Sequence, residues 1–179
     1  MNAARLNWGC GPVCAPGWTN ADRIAAPGVD LVADIRDGLP VEDASFDYVV
    51  SIHALQDLPY LDVPVALKEL HRVLKSAGIL RLGVPDLDRA IGAYLLGDAG
   101  YFYIPDSDAR TVGGKLVAQI IWYGSVRTPF TFDCLQEFLS RAGFRDIRRC
   151  AFGQTVSTYA NIVELDNRER ETLFVEAVK

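Results

Sequence analysis

Short apolar runs alternate with longer amphipathic stretches along this chain. Five of the runs are typical of β-strands: Arg5–Trp8, Thr19–Asp22, Val29–Ala33, Phe46–Ile52 and Ile79–Val84. The fourth run is almost continuously apolar, which is typical of a strand in the middle of a sheet that is covered on both faces. The alternation of such strands with helical stretches predicts an α/β domain with a mostly parallel sheet.

Helical patterns fill much of the remaining chain. Between the fourth and fifth runs, apolar residues recur at helical spacing: Val63, Leu67, Leu70, Val73 and Leu74. Two further helices are predicted at Leu87–Leu96 and Thr131–Ala142. The last two β-like runs, Phe144–Phe152 and Thr172–Val178, are separated by a polar stretch. We therefore expect an antiparallel pair of strands at the end of the sheet.

The segments that join the first three strand candidates are too short for ordinary crossovers. A parallel crossover normally needs about a dozen residues or more, usually as a helix. We therefore expect loops there, and we expect the half of the sheet that lacks helices to expose apolar surface. A second copy of the chain is the predicted cover for that surface, which makes a homodimer the expected assembly.

Composition is that of an average globular protein. The 179 residues are 50% apolar and 23% charged, and this size predicts a single domain, residues 1–179. The net charge of −5 argues against a nucleic-acid partner. No apolar stretch reaches the roughly 20 residues of a membrane span, so no membrane partner is expected. Because Met1–Gly11 lacks the features of a secretory signal, we expect a cytoplasmic location.

The cysteines predict neither a disulfide nor a metal centre. Cys10, Cys14, Cys134 and Cys150 are few and unevenly placed, so free thiols are expected. Cys10 and Cys14 form a C-x3-C pair, but no third cysteine is near and neither histidine stands at ligand spacing from them. No metal is therefore predicted.

Glycines and carboxylates follow the ends of the predicted strands. They are Gly9-Cys10-Gly11, Asp22, Asp34, the segment His53–Asp57, and Pro85-Asp86. In open parallel sheets a ligand lies outside the carboxyl ends of the strands. Glycines let a ligand approach the backbone closely, and carboxylates accept hydrogen bonds from hydroxyl and amino groups such as those of ribose and adenine. The sequence therefore predicts a nucleoside-like pocket.

A nicotinamide cofactor is the alternative for such a pocket. It requires a G-x-G-x-x-G loop that opens a helix and places a pyrophosphate at the helix N-terminus. Here the third glycine position is Cys14, and Pro12, Pro16 and Gly17 argue against a helix. A cofactor without phosphates fits the loop better.

An ordered series of motifs resembles class I S-adenosylmethionine-dependent methyltransferases, in particular the small bacterial type related to ubiquinone and menaquinone biosynthesis. The motifs run through nearly the whole chain: Leu6–Gly11, Gly17–Asp22, Ala33-Asp34, Ala44–Val50, Ser51–Leu55, Leu70–Lys75, Val84–Asp86, Ala142–Phe144 and Leu173–Lys179. The resemblance implies a Rossmann-like, mostly parallel sheet of about seven strands with an antiparallel C-terminal strand. It would be a minimal version that lacks the N-terminal helices.

The resemblance also implies roles for individual residues around S-adenosylmethionine. Gly9, Cys10 and Gly11 would line the methionine moiety, and Asp22 would hold the ribose hydroxyls. Asp34 and the Ile35 backbone would meet the adenine, and His53 and Ala54 would lie near the sulfonium.

Two residues are candidates for catalysis. The neutral imidazole of His53 could accept a proton from an acceptor hydroxyl or amine, and Asp57 is the second candidate base. Alignment and desolvation alone can also suffice for methyl transfer, because the sulfonium is already activated. The sequence departs from the family near this point, with Gln56-Asp57 where Glu-His is common. The segment 97–129, rich in aromatic residues, is the predicted acceptor-side lid.

The predicted function is methyl transfer from S-adenosylmethionine to a small molecule or biosynthetic intermediate, such as a sugar or another secondary metabolite. One alternative is a non-catalytic module that keeps the cofactor pocket and scaffolds or regulates a partner. The other alternative, a nucleotide-dependent oxidoreductase, is disfavoured by Cys14.

Overall fold

A seven-stranded sheet forms the centre of the computed structural model, which describes residues 3–179. Its strands are β1 (Arg5–Trp8), β2 (Thr19–Asp22), β3 (Leu31–Val32), β4 (Phe46–Ile52), β5 (Leu74–Pro85), β6 (Arg145–Cys150) and β7 (Thr172–Val178). The spatial order is β3-β2-β1-β4-β5-β7-β6. The first five strands are parallel to their neighbours, whereas β7 is antiparallel to β5 and to β6. The predicted fold class is confirmed.

Four α-helices accompany the sheet: α1 (Val63–Val73), α2 (Leu87–Leu95), α3 (Val112–Ile121) and α4 (Phe132–Ala142). The sequence predicts α2 and α4 to within one residue and the apolar stripe of α1, but Leu74, which the pattern assigns to that helix, begins β5 instead. The sequence does not predict α3, because that helix opens with Gly113-Gly114, a pair typical of turns. Thr111 compensates by accepting a hydrogen bond from the Gly114 N–H at 3.0 Å, as an N-cap residue does.

One face of the sheet carries the main apolar core. The helices α1 and α4 pack side by side on this face and bury one stripe each. The fully buried side chains there include Leu6, Val49, Leu67, Leu70, Leu80, Leu82, Leu135 and Leu139. This stripe is the amphipathic pattern from which the helices were predicted.

The opposite face lacks helices between β1 and β3, as expected, but it is not bare. Tyr48 and Val50 of β4 are 2% and 0% exposed because the long connection between β6 and β7 folds back across them. Ile162 of this connection and Trp18 complete the cluster. The connection therefore covers the β4 part of this face. Exposed apolar residues remain at the β3 end, where Val13, Ile24 and Val32 are each more than half exposed.

A buried ion-pair network holds that connection on the sheet. Arg81 of β5 is 0% exposed and bonds to Asp166 at 2.5 Å and to Glu176, its cross-strand neighbour on β7, at 2.7 Å. Its guanidinium also donates to the carbonyl oxygens of Ala151 and Gln154. The Arg81 side chain, in the middle of the sheet, thus contacts one residue of β7 and three residues of the β6–β7 connection.

Met1 and Asn2 lie outside the described residues. The predicted domain boundary at residue 1 and the start of the segment Met1–Gly11 are therefore not described by the structure. No helix within residues 3–179 has the length and apolar character needed to cross a membrane.

We expect Arg81→Met to lower the free energy of unfolding by about 3–5 kcal/mol, because it leaves the carboxylates of Asp166 and Glu176 buried without a counter-charge. Urea denaturation at pH 7 measures this change. Arg145→Met, at an exposed position on β6, is the matched control and should change stability by no more than about 0.5 kcal/mol. A loss below about 1 kcal/mol for the Arg81 variant would contradict the anchoring role.

Candidate functional site

A cavity of about 450 Å³ opens at the carboxyl ends of β1, β2 and β4. It brings together eight of the predicted site residues: Gly9, Gly11, Asp22, Asp34, Ile35, His53, Ala54 and Asp57. Cys10 is the exception, since its side chain is buried and does not line the cavity. Its Sγ lies 3.8 Å from the Sγ of Cys14, and both thiols are free, as predicted. We call this space the first cavity.

The loop after β1 needs its glycines for two different reasons. Gly9 has a φ of 69°, and a Cβ at this position would lie 2.2 Å from the Cβ of Ala54. Its absence lets the ends of β1 and β4 come together. Gly11 has a φ of 51°, and a Cβ there would meet no atom within 4 Å. The backbone at Gly11 is therefore open to a ligand in the first cavity.

Asp22 is held in a fixed orientation at the end of β2. Its Oδ2 accepts a hydrogen bond from the Gly11 N–H at 2.8 Å, and its Oδ1 accepts one from the Ile24 N–H at 2.9 Å. Each carboxylate oxygen has a second lone pair, so the group can still accept hydrogen bonds from a diol. The carboxylate therefore ties the glycine loop to β2 and remains available to a ligand.

Asp34 has a partner that sequence reasoning missed. Arg36 donates to it from Nε at 2.9 Å and from Nη2 at 2.6 Å, and the Arg36 backbone N–H donates at 3.0 Å. These bonds lower the pKa of Asp34 to about 2. Arg36 also reaches Asp62 at 3.3 Å. The spacing Asp34-Ile35-Arg36 is visible in the sequence, but it does not reveal that the guanidinium turns back onto the carboxylate.

A second cavity of about 220 Å³ adjoins the first, and the two share His53, Asp57 and Ser125 as lining residues. One wall comes from the predicted lid segment 97–129 and consists of Tyr101, Gln119, Ile120, Trp122, Ser125, Val126 and Pro129. The other aromatic residues of that segment lie elsewhere. Phe102 packs in the core beside α2, while Tyr103 and Tyr123 are exposed.

Two residues that belong to none of the sequence motifs line the opposite wall of the second cavity. Arg168 and Glu171 lie just before β7 and reach the cavity because the β6–β7 connection returns to the sheet beside β5. No local pattern in the sequence marks them as site residues, since their position depends on contacts between distant strands.

His53 lies at the junction of the two cavities in a strained conformation, with a φ of 57°. Its Nε2 is 2.9 Å from the hydroxyl of Thr172. That hydroxyl is 2.8 Å from the Arg168 carbonyl oxygen, to which it donates its single hydrogen. His53 Nε2 therefore carries the proton and donates to Thr172, which leaves Nδ1 as the basic nitrogen.

Burial and the nearby positive charge of Arg168 lower the pKa of His53 to about 4. The imidazole is therefore neutral at pH 7 but a weak base. Burial has the opposite effect on Asp57, whose pKa is raised although part of its side chain remains accessible. A carboxylate with a raised pKa is a better proton acceptor than an ordinary one.

Within residues 3–179, no group of three or more His, Cys, Asp or Glu side chains has the arrangement of a metal site. The polar side chains that line the two cavities are carboxylates, arginines, amides and hydroxyls, which can contact organic ligands.

Comparisons with known proteins concern the domain and the fold. Residues 15–82 match the family model described as a methyltransferase domain. The structure is similar to an S-adenosylmethionine-dependent methyltransferase from Archaeoglobus fulgidus, with a TM-score of 0.61 at 12% identity, over 99% of this chain and 87% of that one. Comparison with curated proteins finds no match.

Two further solved structures are similar over the full length of this chain. One is a Thermotoga maritima methyltransferase described as a possible histamine N-methyltransferase, with a TM-score of 0.59, 19% identity and 83% of that chain covered. The other is the Burkholderia thailandensis 1,6-didemethyltoxoflavin N1-methyltransferase with bound S-adenosylhomocysteine, with a TM-score of 0.58, 15% identity and 72% of that chain covered. At these identities the likeness concerns the fold.

The sheet order is that of the Rossmann-like methyltransferase fold, and residues 15–82 carry the match to a methyltransferase domain. Together they indicate an enzyme that uses S-adenosylmethionine. The finer assignment to the ubiquinone and menaquinone type stays a prediction.

We expect the stability of the protein to fall as the pH drops from about 6.5 towards 4 in part because of His53. Its pKa is about 4 in the folded chain and 6.5 in the unfolded chain, so between these values the unfolded state binds more protons. The effect amounts to about 2–3 kcal/mol at most. In His53→Asn, which tolerates a positive φ, this contribution is absent.

Unfolding of both proteins at pH 7, 6, 5 and 4 measures the effect. The stability difference, wild type minus variant, should decrease as the pH is lowered. Two curves that stay parallel over this range would contradict the low pKa of His53.

Proposed function

We propose that the first cavity holds S-adenosylmethionine through the residues that the family resemblance indicates. In this proposal Gly9 and Gly11 border the methionine moiety, Asp22 accepts hydrogen bonds from the ribose hydroxyls, and Ala54 lies near the sulfonium. The open backbone at Gly11 and the fixed carboxylate of Asp22 support this assignment. The Cys10 side chain has no direct role in it.

In this proposal the adenine lies beside Asp34 and Ile35, but it does not have the Asp34 carboxylate to itself. Because both oxygens of Asp34 already accept hydrogen bonds from Arg36, an adenine amino group would share this carboxylate with the guanidinium. Oδ1 already accepts two bonds, from the Arg36 Nε and backbone N–H, so Oδ2 is the oxygen with a lone pair to offer. Arg36 thereby keeps Asp34 ionised as an acceptor and fixes its direction.

We propose that the second cavity holds a small-molecule acceptor. The observation that carries this proposal is the junction of the two cavities at His53, Asp57 and Ser125. A group that enters from the lid side meets the first cavity at this junction. The sugar or secondary metabolite predicted as the acceptor and the cytoplasmic location stay predictions.

Bound S-adenosylmethionine supplies an activated methyl group on a positively charged sulfur. The residues of the chain then have two tasks, which are to orient the acceptor atom in line with that methyl group and to exclude water. Asp57 accepts the proton that the acceptor releases, since its raised pKa suits it to this role. His53 stays neutral and shapes the junction through its bond to Thr172.

The alternative of a non-catalytic scaffold predicts the same cofactor binding without turnover. The two roles are separated by incubating the protein with methyl-labelled S-adenosylmethionine and a library of small-molecule acceptors. We expect the formation of S-adenosylhomocysteine with at least one acceptor. Tight cofactor binding with no transfer to any acceptor would favour the scaffold.

We expect Asp22→Asn to weaken binding of S-adenosylhomocysteine at least about tenfold, or about 1.4 kcal/mol, because the amide loses the charge that strengthens its bonds to the ribose hydroxyls. Calorimetric titration measures the affinity. Asp37→Asn is the matched control, because Asp37 is an exposed neighbour of Asp34 that does not line the cavity, and its affinity should stay unchanged. Equal affinity of the Asp22 variant and the wild type would refute the assignment of this cavity.

We also propose a homodimer whose interface is limited to a small apolar surface at the β3 end of the sheet. The apolar residues Val13, Ile24 and Val32 at the β3 end are the ones that a second copy would cover. We expect light scattering at micromolar concentration to give the mass of two chains, and Val32→Lys to give the mass of one. A monomeric wild type would contradict the dimer.

A further inference from the structure

One residue that lines the second cavity has a buried hydrogen-bond acceptor without a donor. Gln56 is 4% exposed, and its Oε1 has no hydrogen-bond partner among residues 3–179. Its Nε2 donates to Asp57 at 3.2 Å, and because a carboxylate only accepts, the amide oxygen must point the other way. The Gln56 carbonyl accepts the N–H groups of Arg127 and Thr128, which fixes the residue in place. A buried acceptor without a donor costs about 1–3 kcal/mol.

A carboxylate with little compensation faces the same cavity. Glu171 is 7% exposed, and in the described part of the chain its one ion pair is to Arg168 Nη1, at 3.7 Å. This separation is too long for a hydrogen bond. Burial raises the pKa of Glu171 accordingly. The third acid of the cavity, Asp86, differs because it accepts a hydrogen bond from the Arg89 backbone N–H and forms ion pairs with the side chains of Arg89 and Arg149.

The remaining walls suit a small and partly aromatic ligand. Tyr101 and Trp122 provide ring surface, and the Tyr101 hydroxyl, like Gln56 Oε1, lacks a partner within the described residues. Burial raises the pKa of Tyr101 to about 12, so the hydroxyl stays protonated at pH 7. The cavity volume of about 220 Å³ limits the ligand to a small molecule.

We propose that the second cavity recognises a small organic amine whose N–H groups donate to Gln56 Oε1 and to the Glu171 carboxylate. This inference rests on the proposed function, in which this cavity is the acceptor site. Both protein groups only accept hydrogen bonds, so the ligand must supply two donors. An ammonium group has three N–H donors and a charge opposite to that of Glu171, whereas a hydroxyl has a single donor. A carboxylate ligand would be repelled.

The test uses three probes that differ only in the polar group: 2-phenylethylamine, 2-phenylethanol and phenylacetate. Each is titrated calorimetrically into the full chain saturated with S-adenosylhomocysteine. We expect the amine to bind at least tenfold more tightly than the alcohol, and phenylacetate not to bind. Equal or tighter binding of the alcohol or the acid, or no binding of the amine, would overturn the inference.

Two variants test whether the preference for the amine depends on Gln56 and Glu171. Gln56→Leu removes the unpartnered oxygen, and Glu171→Gln removes the charge at nearly constant volume. In each we expect the amine-to-alcohol ratio to fall below threefold, while affinity for S-adenosylhomocysteine stays within twofold of the wild type. A ratio that remains at the wild-type value in both variants would overturn the inference. If Gln56→Leu does not fold, Glu171→Gln alone decides the outcome.

Glu169→Gln is the matched control for Glu171→Gln. Glu169 is an exposed acid two positions away that does not line the second cavity. This substitution should leave the amine-to-alcohol ratio unchanged. Failure of the wild type to bind S-adenosylhomocysteine would contradict the proposed function itself. Normal cofactor binding without an amine preference would contradict this inference alone.

Discussion

The buried guanidinium of Arg81 is the interaction on which the rest of this structure depends. A charge in the middle of a sheet is stable only when it is fully paired, and here Asp166 and Glu176 supply the counter-charges. Because Asp166 belongs to the β6–β7 connection, pairing draws this segment across the sheet. The segment then buries Tyr48 and Val50 of β4. One ionic network thus holds in place the chain that covers this face of the central strand.

The β6–β7 connection also places polar and charged residues at the site. The chain that leaves Asp166 reaches Arg168, Glu171 and Thr172 before it continues as β7, and these residues border His53 and the second cavity. The neutrality of His53 follows from burial and from the charge of Arg168. Structural support and electrostatic tuning therefore come from one stretch of chain, so a change in how this connection sits would alter both.

Much of the fold was predictable from local pattern. The bounds of Arg5–Trp8, Thr19–Asp22 and Phe46–Ile52 agree with the structure to the residue. For Phe46–Ile52 the reason is that a strand buried on both faces needs a mostly apolar run. The helix α3 was missed because Gly113-Gly114 indicates a turn unless a cap stabilises the first helical turn. The covered face was missed because it depends on contacts between β5 and residues some 70 to 95 positions further along the chain.

The sequence by itself determined the fold class and most of the lining of the first cavity. Those residues stand directly after successive parallel strands, and the carboxyl ends of such strands meet at one edge of the sheet whatever else the chain does. Only the tertiary structure decided that Arg36 forms hydrogen bonds to Asp34 and that His53 is a weak base. It also decided that Gln56 and Glu171 line a common cavity. Hydrogen-bond partners and desolvation depend on which distant side chains come within a few ångströms, and no local pattern encodes that distance.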